Sequence, residues 1–383
     1  MVILRFNKGV NREYIIGMND ADNKQDLSQL IKVIKCGNGL MAVDYIKNYT
    51  GNINGKDKQG WTPLLHAVFE CNKGIVEQLI KKGADIHIRE PYGWTPLLLA
   101  SWLGHKKIVQ ILLKEKAEIN SVDPFQRSAI MLAAKRGYKG VVKYLMSKKA
   151  DISASDQYGR NLLIFAAWGG SRKLLEHLFQ RTGFDINTQD QLGWSALMYA
   201  VSANNKAAVS LLLKKGADVR VINKMGWDLL MVGITRSGQG ILSMLIKQGL
   251  NINSMQKNKG ITPLVLAIAD DKIDRVKFLI DQGADVNLST EPEGFSPLML
   301  SIAENKLSIA RLLISRGADV NALTKKNKAT PLMVAVEKGN IRIIKLLLSK
   351  GADKTVKNSL GMTALMFAAL KGSRKIFKLL ASE

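Results

Sequence analysis

Cysteine is nearly absent from the chain: Cys36 and Cys71 are the only two in 383 residues. Two such isolated thiols support neither a disulfide framework nor a metal-ligand spacing. They fit a reducing, cytoplasmic or otherwise intracellular compartment, including the interior of a host cell if the source is an intracellular microbe. Histidine is as sparse, and His66, His87, His105 and His177 are scattered over four segments with no nucleophile or second ligand at a motif spacing. A phosphate-cradling glycine loop is missing too, since Trp168-Gly169-Gly170-Ser171 reads as the turn between two helices. No catalytic residue, cofactor or metal is therefore assigned, and the reading is non-enzymatic. The opening stretch meets Arg5 too early for a secretory signal. No apolar run approaches the roughly 20 residues a membrane-spanning helix needs. Proline is limited to 8 residues and no low-complexity block interrupts a composition that is 46% hydrophobic, so the chain can bury a core along almost its whole length.

What the sequence does have is repetition. Gly60-Trp61-Thr62-Pro63-Leu64 recurs as Gly93-Trp94-Thr95-Pro96-Leu97, and degenerate copies begin at Gln126, Gly159, Gly193, Gly226, Gly260, Gly294, Lys328 and Gly361. Two residues after each start stands Thr62, Thr95, Ser128, Asn161, Ser195, Asp228, Thr262, Ser296, Thr330 or Thr363. All are residues whose side-chain oxygen caps a helix start. Pro63, Pro96, Pro263, Pro297 and Pro331 follow at the first helical position, where a missing N–H costs nothing. A small-residue stretch such as Ala133-Ala134 lets the first helix approach its neighbour. A second helix ends at Gly83, Gly183, Gly216, Gly249, Gly283, Gly317 or Gly351, the left-handed position glycine adopts cheaply. Lys116 and Lys149 replace that glycine in two units, where strained turns are expected.

These units resemble ankyrin repeats, whose pattern is T-P-L-H-x-A with G-A-D-x-N closing the second helix. Here the pattern stands as Thr95-Pro96-Leu97 and as Gly283-Ala284-Asp285-Val286-Asn287. The match covers residues 60–383 as ten repeats. A weaker half-match over residues 26–59, with Leu30, Ile31, Ile34, Val43, Tyr45 and Ile46, resembles an amino-terminal capping unit, and residues 1–25 remain unassigned. The resemblance implies an all-α solenoid: helix-turn-helix units stacked side by side, with β-hairpin fingers projecting from them. No unit buries its apolar face alone, so neighbours supply the core, and one continuous elongated domain is expected. Lys371, Arg374, Lys375 and Lys378 give the last unit the polar side of a terminal cap.

In such stacks the finger positions around each unit start, and the ends of the first helices, face a concave side and are free of packing duty. All six tryptophans fall there: Trp61, Trp94, Trp194 and Trp227 after unit starts, Trp102 and Trp168 at first-helix ends. Phe69, Tyr92, Phe125, Tyr158 and Phe295 occupy similar places. Tryptophan offers large contact area at low rotamer cost and is enriched at binding hot spots. Arg127, Lys135, Arg136 and Arg160 lie between the early and later tryptophans, with Arg236 further on. Arginine beside aromatic rings suits carboxylates, phosphates and planar groups. A concave basic-aromatic groove is the expected partner site.

The formal charge of +24, 56 basic against 32 acidic residues, has two sources. Lys81, Lys82, Lys114, Lys148, Arg181, Lys214, Lys215, Lys247, Arg316 and Lys350 occupy the last turns of second helices, where a cation offsets the helix dipole. The remainder is uneven, with seven basic against two acidic residues over 126–158 but three against seven over 260–293. Three consecutive fingers, between Gly249 and Lys328, are also one residue longer than the rest. They predict a patch of altered polar tips. The leading functional reading is a protein-interaction scaffold or adaptor, monomeric by itself, whose partner has acidic features. Binding of nucleic acid or another polyanion through net charge is the weaker alternative. A third reading makes the chain a regulatory or substrate-recruiting subunit of a partner enzyme.

Overall fold

The computed structural model describes residues 26–381 apart from 38, 182, 257 and 258, and among them 22 helices form eleven pairs. The unassigned residues 1–25 lie outside the described residues, as do Thr182 in one helix-ending turn and Lys257 and Asn258 in the first lengthened finger. The chain divides into two compact units, the first ending at Phe184 and the second beginning at Asp185.

In the first unit the pairs are α1 (Leu27–Lys35) with α2 (Gly39–Asn48), α3 (Pro63–Phe69) with α4 (Lys73–Lys81), α5 (Pro96–Leu103) with α6 (Lys106–Lys114), α7 (Ala129–Lys135) with α8 (Lys139–Ser147), and α9 (Leu162–Gly169) with α10 (Arg172–Arg181). First helices α1, α3, α5, α7 and α9 pack in sequence as one layer, and α2, α4, α6 and α8 as a second. First helices α3, α5 and α7 are apolar on nearly every side because each is enclosed by both neighbours and its own partner, and α9 is as apolar. Helix α1 instead buries one stripe and leaves Lys32 and Lys35 exposed. Leu97, Leu98, Ala100, Ile130, Leu132, Leu163 and Phe165 are all buried. Second helices bury one stripe only, as in Ile75, Val76 and Leu79 of α4. The first pair, α1 with α2, buries Leu30, Ile31, Ile34 and Ile46 and half-buries Val43 and Tyr45.

All ten expected caps occupy the N-cap position, and nine accept the backbone N–H three residues on, for example Leu98 N–H to Thr95 Oγ1 at 3.3 Å. Ser128 is the exception, its buried hydroxyl making no hydrogen bond. Lys116 and Lys149 hold φ of 68° and 63°, so each lysine carries the strain that a glycine avoids. Gln126 and Lys328 hold φ of 60° and 51° at unit starts, but at other starts the requirement for glycine is stricter. Gly93 has φ 81°, and a Cβ there would sit 2.6 Å from Pro124 Cδ of the next turn.

The expected β-hairpin fingers are not strands. Among the described residues each finger is a tight turn, and only single antiparallel bridges form, Val122 with Ser128 and Ser155 with Asn161 in the first unit and Gln189 with Ser195 in the second. The reason is length. Glu90 N–H donates to Trp94 O at 3.1 Å and Gly93 N–H to Glu90 O at 2.8 Å, which closes the turn before a ladder can extend.

The second unit pairs α11 (Ala196–Ser202) with α12 (Lys206–Lys214), α13 (Leu229–Arg236) with α14 (Gln239–Lys247), α15 (Pro263–Ala269) with α16 (Ile273–Asp281), α17 (Pro297–Ala303) with α18 (Leu307–Ser315), α19 (Pro331–Lys338) with α20 (Ile341–Ser349), and α21 (Ala364–Leu370) with α22 (Arg374–Ala381). Its lengthened fingers absorb the extra residue in wider turns: Gly260, Gly294 and Lys328 donate their N–H to the carbonyl four residues back, on Gln256, Thr290 and Thr324. Side-chain rungs join neighbouring repeats. Asn253, Asn287 and Asn321 accept the backbone N–H of Asp285, Asp319 and Asp353 at 2.9, 2.8 and 2.8 Å. Asn187 does so for Asp218, and in the first unit Asn54 and Asn120 do so for Asp85 and Asp151. The D-x-N element of the repeat is therefore an inter-repeat bond. Where Asn gives way to His87 or Arg220, no such rung forms among the described residues.

The last pair corrects one expectation. Arg374, Lys375 and Lys378 are exposed, but so are Met366, Leu370 and Phe377, so the terminal face is apolar as well as charged. No helix among the described residues is long and apolar enough to cross a membrane.

Thr95→Ala is expected to weaken the first turn of α5 by about 1 kcal/mol, which speeds hydrogen exchange at the Leu98 amide about fivefold. Ser128→Ala, which removes a hydroxyl that caps nothing, should leave exchange in α7 unchanged or slower. Equal effects of the two substitutions would refute the capping geometry.

Candidate functional site

The side chains on the turn face are placed by an acceptor buried three residues before the unit start. Asp57 Oδ1 accepts the N–H of Gln59 and Trp61 at 3.0 and 2.8 Å, and Asp123 and Asp156 do the same for Phe125 with Arg127 and for Tyr158 with Arg160. Glu90 holds the Trp94 N–H, Asp190 the Trp194 N–H and Asn223 the Trp227 N–H. In these repeats the backbone of the residue after the unit start is thereby locked in place. These acceptors went unrecognised in the sequence, although an Asp, Glu or Asn three residues ahead of the start recurs in seven of the ten repeats.

The second carboxylate oxygen decides what else is held. Asp57 Oδ2 pairs with His66 Nε2 at 2.7 Å. Burial pushes the Asp57 carboxyl up, but the Trp61 N–H and the His66 ring outweigh it and leave it below its ordinary value. Burial, aided by the Lys35 charge, holds His66 below its own ordinary value against the opposing pull of Asp57. The imidazole is thus a neutral structural donor. Asp190 Oδ2 accepts from Tyr199 Oη at 2.7 Å. Asp123 Oδ2 takes Arg127 Nε at 2.7 Å and Nη2 at 2.5 Å, and Asp156 Oδ2 takes Arg160 Nε at 2.8 Å and its Nη2.

Three successive repeats of the first unit bring seven of the expected residues together. Trp94 and Trp102 meet edge to face at 5.7 Å. Arg136 lies over the Trp102 ring at 5.0 Å, and Lys135 Nζ over the Trp168 ring at 3.5 Å. Arg160 touches three rings, Tyr158, Phe165 and Trp168, at 4.7, 5.2 and 5.4 Å, while Arg127 lies over Phe125 at 4.9 Å. Phe165, stacked on Trp168 at 6.4 Å, was missed in the sequence because it reads as ordinary core. Close approach of α9 to α7 is set by Gly169, where a Cβ would lie 2.5 Å from the Lys135 carbonyl oxygen. Tyr92, Phe125 and Tyr158 stand at the turn tips, 59, 44 and 39% exposed. The face is aromatic at Trp94 and Trp102 and becomes cationic toward Arg127, Lys135 and Arg160.

Lys135 is the electrostatic outlier. Burial, reinforced by the Arg127 and Arg160 charges and only partly offset by Asp156, lowers its ammonium from 10.5 to about 8. No hydrogen-bond acceptor meets that ammonium among the described residues.

The remaining expected residues stand differently. Trp61 is corrected: it is only 8% exposed, packed against His66 at 5.2 Å and Phe69 at 5.7 Å, so its ring is part of the stack. Trp194, half-buried and 5.4 Å from Tyr199, belongs to the second unit, as do half-buried Trp227 and exposed Arg236. No ring contact or ion pair engages Arg236 among the described residues. Cys36 and Cys71 are free and exposed, and no group of metal-ligating side chains occurs among the described residues.

A family model described as ankyrin repeats in three copies matches the chain at residues 8–90, 30–123, 98–190, 163–256, 238–324 and 322–383. No curated protein matches it.

Lys135 generates a pH dependence. Between about pH 8 and 10.5 the folded lysine has lost a proton that the unfolded chain still binds, so its contribution makes stability rise with pH across that window. The difference in urea midpoint between the native chain and Lys135→Met is expected to change in that direction from pH 7 to 10. Parallel curves would contradict the assignment.

Proposed function

Because the chain belongs to the ankyrin-repeat family, whose repeats are generally protein–protein interaction modules, we propose that it is a scaffold or adaptor that grips a protein segment on the turn face of its first unit. The observation that carries this reading is the run of cations laid on aromatic rings, Arg136 on Trp102, Lys135 on Trp168 and Arg160 on Tyr158. Each such contact is worth roughly 0.5–2 kcal/mol, the upper end when desolvated. Together they form a surface that is rigid, largely apolar and positively charged. A segment with apolar or aromatic side chains at one end and acidic ones at the other complements it. Trp194, Trp227 and Arg236 offer a separate contact surface on the second unit.

The charge supports a protein partner over a polyanion. Arg127 and Arg160 are each committed to their own buried aspartate, and many of the other cations cap helix dipoles. A phosphate polymer needs a track of free cations, which this arrangement does not emphasise. A role as the recruiting subunit of an enzyme fits the same surface, the enzyme then being the partner.

Peptides selected from a displayed random library on the native chain are expected to combine Asp or Glu with aromatic or branched residues. Trp102→Ala and Arg136→Glu should each weaken a selected peptide about tenfold or more, with circular dichroism unchanged. Binding should persist at about 0.5 M salt, where exposed charges are strongly screened. A selection without acidic or aromatic bias, or loss of binding in salt with no effect of Trp102→Ala, would replace this reading with the polyanion one.

A further inference from the structure

Lys135 keeps a charge that no hydrogen-bond acceptor meets among the described residues and that Asp156 only partly offsets. Asp123 and Asp156, the carboxylates nearest the cluster, have fully buried side chains. In each, one oxygen accepts two backbone N–H groups and the other accepts two guanidinium nitrogens of its own arginine. Their accepting capacity is therefore spent. The helices that pack on α7 in the first-helix layer, α5 and α9, carry no ionisable side chain. Three cations, Arg127, Lys135 and Arg160, thus face two carboxylates, and one positive charge stays uncompensated. The Trp168 ring, 3.5 Å from Nζ, excludes water from one side of the ammonium without supplying an acceptor.

We propose that Lys135, with Trp168 against it and Arg127 and Arg160 beside it, is a seat for one carboxylate of the bound protein segment. The inference rests on the protein-binding reading above and sharpens it to one residue and one chemical group. Charge selects the group: a monoanion brings the cluster to neutrality, whereas a phosphate dianion overshoots it. Shape agrees, since an ammonium backed by an indole presents its remaining N–H groups in one direction. Binding has a proton consequence. The depressed ammonium must be charged to hold an anion, so the carboxylate raises its affinity for the proton, and above about pH 8 binding is accompanied by proton uptake. The carboxylate has two sources, an acidic side chain or a chain terminus, and the test separates them.

The Lys135 side-chain resonance, assigned by its loss in Lys135→Met, is followed through pH 7–11 in the native chain, alone and with each of three probes at saturation. The probes are acetyl-Ala-Glu-Ala-amide, acetyl-Ala-Ala-Ala with a free carboxyl end, and inorganic phosphate. A carboxylate probe is expected to raise the Lys135 midpoint by about one pH unit, corresponding to about tenfold preference for the charged form. A shift by the first probe alone identifies side-chain capture, and by the second alone terminus capture. No shift with any probe, or a shift with phosphate larger than with either carboxylate, overturns the proposal. Since these probes carry no aromatic anchor, a shift of Lys135 alongside failed peptide selection would leave the seat standing and remove the groove. Selected peptides that bind Lys135→Met as tightly as the native chain would do the reverse.

Discussion

In six of the ten repeats a side-chain oxygen at the base of the turn holds two backbone N–H groups that would otherwise be enclosed without partners. Leaving one such group unpaired costs about 1–3 kcal/mol, so these tight, left-handed starts depend on the acceptor, whereas the three lengthened turns close on a backbone carbonyl four residues back. At Asp57, Asp123, Asp156 and Asp190 the acceptor is a carboxylate, and its second oxygen then recruits His66, Arg127, Arg160 or Tyr199. One local requirement thus fixes the turn, sets which residue lies at the face and chooses the donor that accompanies it. The helix pairs behind the turns supply hydrophobic stability, but the character of the face is decided at these oxygens.

That arrangement changes the meaning of the chain's net charge. A cation paired to a fully buried aspartate is a fixture of the fold, and its guanidinium serves as a flat surface over Phe125 or Tyr158. Lys135 differs because its neighbours are a ring and two like charges. The same three repeats therefore contain neutralised arginines that shape the surface and one lysine whose charge is unspent. Sequence counts of basic residues cannot separate these kinds.

Features governed by near neighbours in the chain were legible beforehand. The ten cap positions, the prolines behind five of them and the left-handed Lys116 and Lys149 follow from rules spanning a few residues, and all stand as read. The helix pair α1 and α2 was legible through Leu30, Ile31, Ile34 and Ile46 for the same reason. Trp61 was not, because its depth depends on where His66 and Phe69 bring their rings, and an identical Gly-Trp-Thr-Pro leaves Trp94 half-buried. Strands were overestimated because hairpin length depends on where the turn closes. The pairing of Lys135 with Trp168, 33 residues apart, needs the glycine at 169 and the packing of α9 on α7, which no local pattern encodes.

The asparagine rungs carry a mechanical corollary. Asn253, Asn287 and Asn321 bind three successive repeat junctions in the second unit, whereas the junctions after His87 and Arg220 are joined by other side chains, Arg89 on the Val122 carbonyl in the first and Ser254 on Asp228, Gln256 on the Met225 carbonyl and Arg275 on the Ser237 carbonyl in the second. Hydrogen bonds resist shear over tenths of an ångström, while packed methyl groups slide more readily. Under load, then, the later repeats of the second unit share one short asparagine link of constant form, while the junctions beside His87 and Arg220 depend on long, rotatable side chains such as Arg89, Gln256 and Arg275.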